Sequence, residues 1–325
     1  MSEEIYIYVT HKDGVPDDSA PELIAAAQKI NPDAFLTAIV MGSASEVDNV
    51  CQAVASLANL TIFKIVNDEL AYPNAEIIRK VMVKLLPSGA ITLIPHDTFG
   101  MDLGPGLSVK LDAAFVADVI DFEGIDGANL NIVRQEFSGQ VYTHVGCDIS
   151  SGVVLNIRPG AFKAEENPSG NGQVIDKSGD ADDLASRRRF LEVVEAEAGE
   201  VDITAADVLV SVGRGIEDED NMEIIFDLAE AIGAEVSCSR PIVDAKWLEK
   251  ARQVGTSGQT VKPKVYLALG ISGSFQHLGG LKGAPFVVAV NKNAKAPIFQ
   301  AADVGVVDDI LDFVPELTEK ISEMK

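Results

Sequence analysis

The stretch Lys264–Gly280, KVYLALGISGSFQHLGG, decides the fold. Residues 264–270 read as a strand, and the chain then breaks at once into glycines, serines, a glutamine and a histidine. Gly270 and Gly273 let backbone approach backbone or ligand. Successive N–H groups at such a strand-to-helix turn form a cradle for an anion. The same residues also read as a tight turn with no ligand. The neighbouring runs decide how the strand is used.

Working outward, ADVLVSVGRG (206–215) reads as a strand ending in Gly213-Arg214-Gly215. NMEIIFDLAEAIG (221–233) has a helical face of Ile224, Ile225, Leu228, Ala229 and Ile232, with Gly233 placed to end it. AEVSCSRP stops at Ser239-Arg240-Pro241, PFVVAVN (285–291) gives a fourth strand, and VGVVDD (304–309) a fifth. ILDFVPELTEKISEM is helical, and Pro315 predicts two helical pieces. The first half alternates in the same way. Strands IYIYVTH (5–11), AFLTAIVMG, TIFKIV and AITLIPH are separated by helices PELIAAAQKI (21–30), EVDNVCQAVASLA and NAEIIRKVMVKLL. Ser19 is the expected N-cap of the first helix, with Pro21 in its first turn. The second helix has Val47, Val50, Cys51, Val54 and Leu57 on one face. After about residue 105, NLNIVRQEF, QVYTHVGC and VVLNIRPGAF, with turns such as Ser138-Gly139, read as an antiparallel addition. Residues 163–185, rich in Gly, Asp, Glu and Ser, read as a surface loop or linker. The predicted fold class is α/β in two domains: a Rossmann-like parallel sheet with antiparallel additions over 1–195, and a doubly wound parallel sheet over 196–325.

In a sheet of that kind, ligands bind beyond the carboxyl ends of the strands. There the second domain places Arg214, Ser239 with Arg240, the stretch Ser272–His277, Asn291 and Asp309. Two arginines, several hydroxyls, amides and a histidine suit an anionic, hydrogen-bonding ligand such as a dinucleotide. Standard motifs are missing: there is no GxGxxG and no GxxxxGK[ST], and GISGS carries Ser274 where a nucleophile elbow needs glycine. His11, His96, His144 and His277 lack metal-ligand spacing. His96-Asp97 reads as a surface turn or a partner contact, the 218–221 acidic run as the solvated start of a helix, and Trp247 as packing.

Composition bounds the partners. The 325 residues carry 50 acids against 26 bases, a net charge of −24, with 47% hydrophobic residues. Such a chain buries a large core, and its field disfavours nucleic acid and anionic membranes. No apolar run reaches the length of a membrane span, and the acidic start resembles no targeting leader, so the expected compartment is the cytoplasm. Three isolated cysteines, Cys51, Cys147 and Cys238, predict buried thiols rather than a disulfide framework.

LGISGSFQHLGGLKG, followed by AVNKNAKAPIFQAADVGVVDDILDFVPELTEKI, resembles the C-terminal domain of the electron-transfer flavoprotein alpha-subunit family. VSVGRGI, CSRPIVDA and RQVGTSGQTVKPKVYLALG match in the same order, and GPGLSVKLDAAFVADV extends a looser resemblance into the first domain. The resemblance implies an FAD held mainly by the second domain and a beta subunit as partner. It implies Arg214 at the entrance strand, Ser239 and Arg240 beside the isoalloxazine, and Ser257 bonded to flavin N5. It places Gln276 and His277 near the ring and ribityl chain, with His277 on the pyrimidine carbonyl edge. Ser272, Gly273, Ser274 and Phe275 belong to the same loop, and Asn291 and Asp309 serve the pyrophosphate and adenosine half. Two positions depart from the family. Thr256-Ser257-Gly258 stands where Gln-Thr-Gly is usual, serine keeping the hydroxyl, and Gly106 stands where many members carry arginine.

The implied task is to shuttle electrons from flavin dehydrogenases, such as the acyl-CoA dehydrogenases of fatty acid beta-oxidation, to a quinone oxidoreductase, ferredoxin or flavodoxin. The chain is then an electron carrier rather than a stand-alone enzyme. An NADH-oxidising, electron-bifurcating heterodimer and a non-redox nucleotide-binding sensor are the alternatives. On a protein this acidic, local cations must make an extra electron tolerable, and Arg240 and His277 are the candidates. A unit charge ~4 Å away at an effective dielectric of about 20 is worth about 4 kcal/mol, roughly 170 mV on a one-electron potential. A flexible 163–185 segment would let the second domain swing between partners.

Overall fold

The computed structural model describes residues 4–137, 141–165, 168–182, 184–192, 201–283 and 285–324. The chain divides into two compact units, Met1–Leu191 and Glu192–Lys325. The boundary expected at 195 lies among residues 193–200, outside the described residues.

In the first unit, β1 (Glu4–Val9), a short hairpin of β2 (His11–Lys12) and β3 (Val15–Pro16), α1 (Ser19–Ile30), β4 (Phe35–Gly42), α2 (Val47–Ala55), β5 (Thr61–Val66), α3 (Ala75–Leu85) and β6 (Ile91–Pro95) follow the predicted alternation. They continue into α4 (Thr98–Leu111), β7 (Ala114–Asp126), β8 (Asn129–Glu136), β9 (Val141–Asp148), β10 (Val153–Ile157) and β11 (Gln173–Asp176). Nine strands form one sheet in the order β11-β5-β4-β1-β6-β10-β7-β8-β9. It is parallel from β11 to the first half of β7, and β7-β8-β9 is an antiparallel meander at its edge.

Four sequence expectations change. Residues 153–157 are no antiparallel addition: β10 lies between β6 and β7, parallel to both. It is buried along its whole length, and continuous burial on both faces is the mark of an internal parallel strand. Residues 163–185 are no free linker either. β11 adds to the sheet edge against β5, and Ala181 and Leu184 enter the core. Lys84 pairs with Asp182, and Lys80 Nζ donates to the Ala185 carbonyl at 2.6 Å. Ser19 is the first residue of α1 rather than its cap, and its N–H donates to Asp17 Oδ1 at 2.9 Å. His96-Asp97 is the entry to α4: Asp97 Oδ1 accepts from the Gly100 N–H at 2.6 Å as N-cap. The Ser138-Gly139 turn lies outside the described residues.

At Gly106, in α4, an added Cβ would overlap the Arg79 guanidinium, which reaches across from α3. Arg79 Nη2 donates to the Asp102 carbonyl at 3.3 Å. A guanidinium thus covers this part of α4, supplied by the neighbouring helix α3.

The second unit is a five-stranded, wholly parallel sheet of β12 (Val208–Val212), β13 (Glu235–Cys238), β14 (Val265–Leu269), β15 (Phe286–Val290) and β16 (Val304–Val306). Its order is β13-β12-β14-β15-β16. In chain order this is 2-1-3-4-5, so the connections diverge between β12 and β14. Helices α5 (Met222–Ile232), α6 (Arg240–Asp244), α7 (Phe275–Leu278) and α8 (Ile310–Glu323) complete it. α5 buries Met222, Ile225, Leu228 and Ala229 and ends at Gly233 in the left-handed conformation, φ +67°. α8 runs unbroken through Pro315, contrary to the two pieces expected. One lost backbone bond is outweighed by a stripe of Ile310, Val314, Leu317 and Ile321 packed in the same core as α5.

Candidate functional site

The divergence point of the second sheet opens into a cavity of about 770 Å³, within the size range of small-molecule and cofactor sites. Its wall is made by the residues that follow the strands. Arg214 comes after β12, Ser239 and Arg240 after β13, Ser272, Ser274, Gln276 and His277 after β14, and Asn291 after β15. Thr256 and Ser257 enter from a loop that continues β13: Val254 N–H donates to the Cys238 carbonyl at 2.9 Å, and Thr256 N–H to the Gln276 carbonyl at 2.8 Å. Ten of the residues singled out from sequence therefore line one cavity. Gly258, Gly273, Phe275 and Asp309 do not. Gly273 shapes the turn instead. Its φ is +80°, and a side chain there would overlap the backbone of Ile298.

Sequence reasoning missed several wall residues. Gln253 is 4% exposed, and its Nε2 donates to Ser257 Oγ at 2.9 Å. That bond uses a lone pair of the serine and leaves its proton free to donate into the cavity. Glu217, Asp244 and Lys292 also line the wall. Each acid is matched: Asp244 Oδ2 lies 3.4 Å from Arg240 Nε, and Glu217 Oε1 lies 2.8 Å from Lys292 Nζ. Lys292 Nζ also meets Asp309 Oδ2 at 2.8 Å, and these two carboxylates hold its ammonium above the usual lysine range. Asp309 is thus engaged twice, since its Oδ1 caps α8 by accepting from the Leu311 N–H at 3.0 Å. Asn291 bonds the Ile271 carbonyl at 2.9 Å, and its Oδ1 accepts from the Asn293 N–H at 2.9 Å. Of the cations, Arg214 has no ion-pair partner among the described residues.

The two expected cations differ. The Arg240 side chain is 69% exposed. His277 is 5% exposed and is no cation: burial pushes its imidazole down to about 4, against a smaller upward pull from the Val254 carbonyl. Its Nε2 lies 2.8 Å from Tyr266 Oη.

The wall offers a fixed hydroxyl donor, a guanidinium with no ion-pair partner among the described residues and a second guanidinium at the rim. This set fits a dinucleotide carrying both a ring with carbonyl and nitrogen acceptors and an anionic phosphate pair. A second groove of about 540 Å³ over Phe226 and Trp247 contains none of the strand-end residues. Among the described residues no metal-binding cluster is formed, and no helix is long and apolar enough to cross a membrane.

Comparison with known proteins agrees with the geometry. Residues 202–282 match the electron transfer flavoprotein FAD-binding domain, and residues 5–182 match the electron transfer flavoprotein domain. The electron transfer flavoprotein subunit alpha of Thermoanaerobacterium thermosaccharolyticum is 31% identical, with 99% of each chain covered. That of Bacillus subtilis is 30% identical over 100% of this chain and 99% of its own length. That of Methylophilus methylotrophus is 40% identical over 72% of both. Among solved structures, a thiamine diphosphate-dependent 4-hydroxybenzoylformate decarboxylase of Rhodococcus jostii RHA1 covers 97% of this chain and 59% of its own at 10% identity, with a TM-score of 0.23, too slight a likeness to argue from. With matched domains spanning both units and relatives aligned along nearly the whole chain, this protein belongs to the electron-transfer flavoprotein alpha-subunit family, and FAD is the cofactor of its second unit.

Proposed function

We propose that this chain pairs with a beta subunit and carries electrons from flavin dehydrogenases, the acyl-CoA dehydrogenases among them, to a quinone oxidoreductase, ferredoxin or flavodoxin. The observation that carries the reading is the cavity at the β12/β14 divergence, whose wall combines an anchored Ser257 hydroxyl, the Arg240 guanidinium and Arg214, which has no ion-pair partner among the described residues. FAD supplies the electron-accepting chemistry when bound. The chain's residues hold and tune it. Ser257 donates a hydrogen bond to a ring acceptor, Arg240 lowers the cost of negative charge beside the ring, and Arg214 meets an anionic group. None of these is a nucleophile or general base aligned for group transfer, which suits a carrier. Three buried, unpaired thiols suit a reducing cytoplasm.

The test is co-expression with the beta subunit, followed by the visible spectrum, the flavin count per heterodimer and reduction by an acyl-CoA dehydrogenase with its substrate. One flavin, reduced by the dehydrogenase, is the expected result. Two flavins with NADH-driven reduction of two acceptors would replace the carrier reading by the bifurcating one. A colourless complex that binds nucleotide without redox change would leave only a sensor.

A further inference from the structure

We infer that Tyr266 is the positioning residue for His277: its phenol donates to Nε2, fixing the ring's orientation and leaving its single proton on Nδ1. Tyr266 is fully buried on β14, one of the largest side chains sealed in the second unit. Its Oη lies 2.8 Å from His277 Nε2, with ring centroids 6.1 Å apart and planes inclined by 50°. The two rings therefore meet through their polar atoms and do not stack.

The direction of the bond follows from the donor and acceptor strengths of the two groups. Burial raises the Tyr266 phenol well above its ordinary range, so it keeps its hydrogen. Ser211 and Ser237 are fully buried on neighbouring strands in paired register, close enough to the phenol to favour its ionised form slightly against the larger effect of burial. Neither hydroxyl has a hydrogen-bond partner in good geometry among the described residues. Between a neutral phenol and a neutral imidazole the phenol O–H is the stronger donor and the bare ring nitrogen the stronger acceptor, so the hydrogen between Oη and Nε2 is the phenol's. A neutral imidazole that accepts at Nε2 carries its hydrogen at Nδ1. Nδ1 is buried and has no hydrogen-bond partner among the described residues.

The consequence, which rests on the reading of the cavity as the flavin site, is a division of labour. The ring that lines the wall is locked, neutral and of one tautomer, so the charge that favours electron uptake comes from Arg240. Tyr266 lies on β14 beneath the wall that His277 lines, out of reach of any sequence motif.

The experiment uses the full chain with its beta subunit, labelled with 15N-histidine, and long-range proton–nitrogen spectra near neutral pH. In the native protein His277 shows one pyridine-like nitrogen at Nε2 and one pyrrole-like nitrogen at Nδ1. In Tyr266→Phe the two nitrogen shifts converge, as a ring released at Nε2 exchanges tautomers. Unchanged shifts in Tyr266→Phe overturn the inference. So does a protonated Nε2 in the native protein, a result that stands even if the variant does not fold. Flavin content, measured on the same samples, is a separate readout: a colourless complex with a locked His277 refutes the flavin reading and leaves the role of Tyr266 intact.

Discussion

Arg240→Gln should lower the one-electron potential of the bound FAD, and the structure sets the size of the change. A unit charge ~4 Å from the ring is worth about 4 kcal/mol at an effective dielectric of 20, but only about 1 kcal/mol in bulk water. With its side chain 69% exposed and the Asp244 carboxylate 3.4 Å away, Arg240 lies near the aqueous limit. About 1 kcal/mol corresponds to roughly 40 mV for one electron, well below the ~170 mV ceiling of a buried pair. Asp244→Asn removes the counter-charge and should move the potential in the opposite direction. The assay is a reductive spectroelectrochemical titration of the heterodimer and both variants at fixed ionic strength. Shifts of the same sign in the two variants, or no shift in either, refute the assignment of Arg240 as the tuning cation. A shift near the ceiling in Arg240→Gln would mean that the assembled complex seals the rim from water.

Three other outcomes follow from the geometry. Gly273→Ala forces a left-handed φ of +80° on a residue whose Cβ overlaps the Ile298 backbone, and should cost at least about 2 kcal/mol, read as a lower Tm with loss of bound flavin. His277 is depressed from 6.5 to about 4, so its contribution is present above about pH 6.5 and is lost as pH falls toward about 4. That loss is about 3 kcal/mol at most, and His277→Gln should flatten this part of the stability–pH curve, measured by denaturant melts; an unaltered slope would refute the burial argument. Glu76 accepts from Ser186 Oγ at 2.8 Å and from the Arg187 N–H at 3.1 Å, so Glu76→Gln should speed tryptic cleavage at 187–189, as should high salt in the native chain. Equal cleavage rates would assign the hold to Ala181 and Leu184 alone.

The alternation of strands and helices was legible because most strands are apolar runs and several helices carry their own stops, such as Asn74 before α3 and Gly233 after α5. α4 and β7 were not, and for α4 the reason is physical. α4 contains Gly100, Gly104, Pro105 and Gly106, poor helix formers chosen for close approach: a Cβ on Gly104 would meet Phe115 at 2.9 Å. β11 was invisible because QVID is exposed throughout and carries no buried face to mark it, pairing with β5 at the sheet edge. In the site, residue types after each strand were readable, since strand ends converge by topology. Their protonation and pairing were not. The neutral His277 follows from burial, and the second duty of Asp309 follows from the position of Lys292.

A chain with a net charge of −24 that holds an anionic cofactor needs an explanation of scale. The cavity wall carries three cations, Arg214, Arg240 and Lys292, against two acids, Glu217 and Asp244. The wall itself is therefore positive by one charge; Asp309, which is outside the lining, would balance that surplus and is engaged by Lys292 and the α8 N-terminus. At physiological salt the field of distant carboxylates is screened over about 8 Å, whereas contacts inside a part-enclosed cavity are not. Local arrangement therefore outweighs the global charge in deciding what the site holds. The global charge acts elsewhere, on which surfaces approach, and repels other acidic molecules unless they present a basic patch. Removing the charge of His277 by burial fits the same logic: a second fixed cation at the ring would make uptake of an electron easier but its release harder, and a carrier must do both.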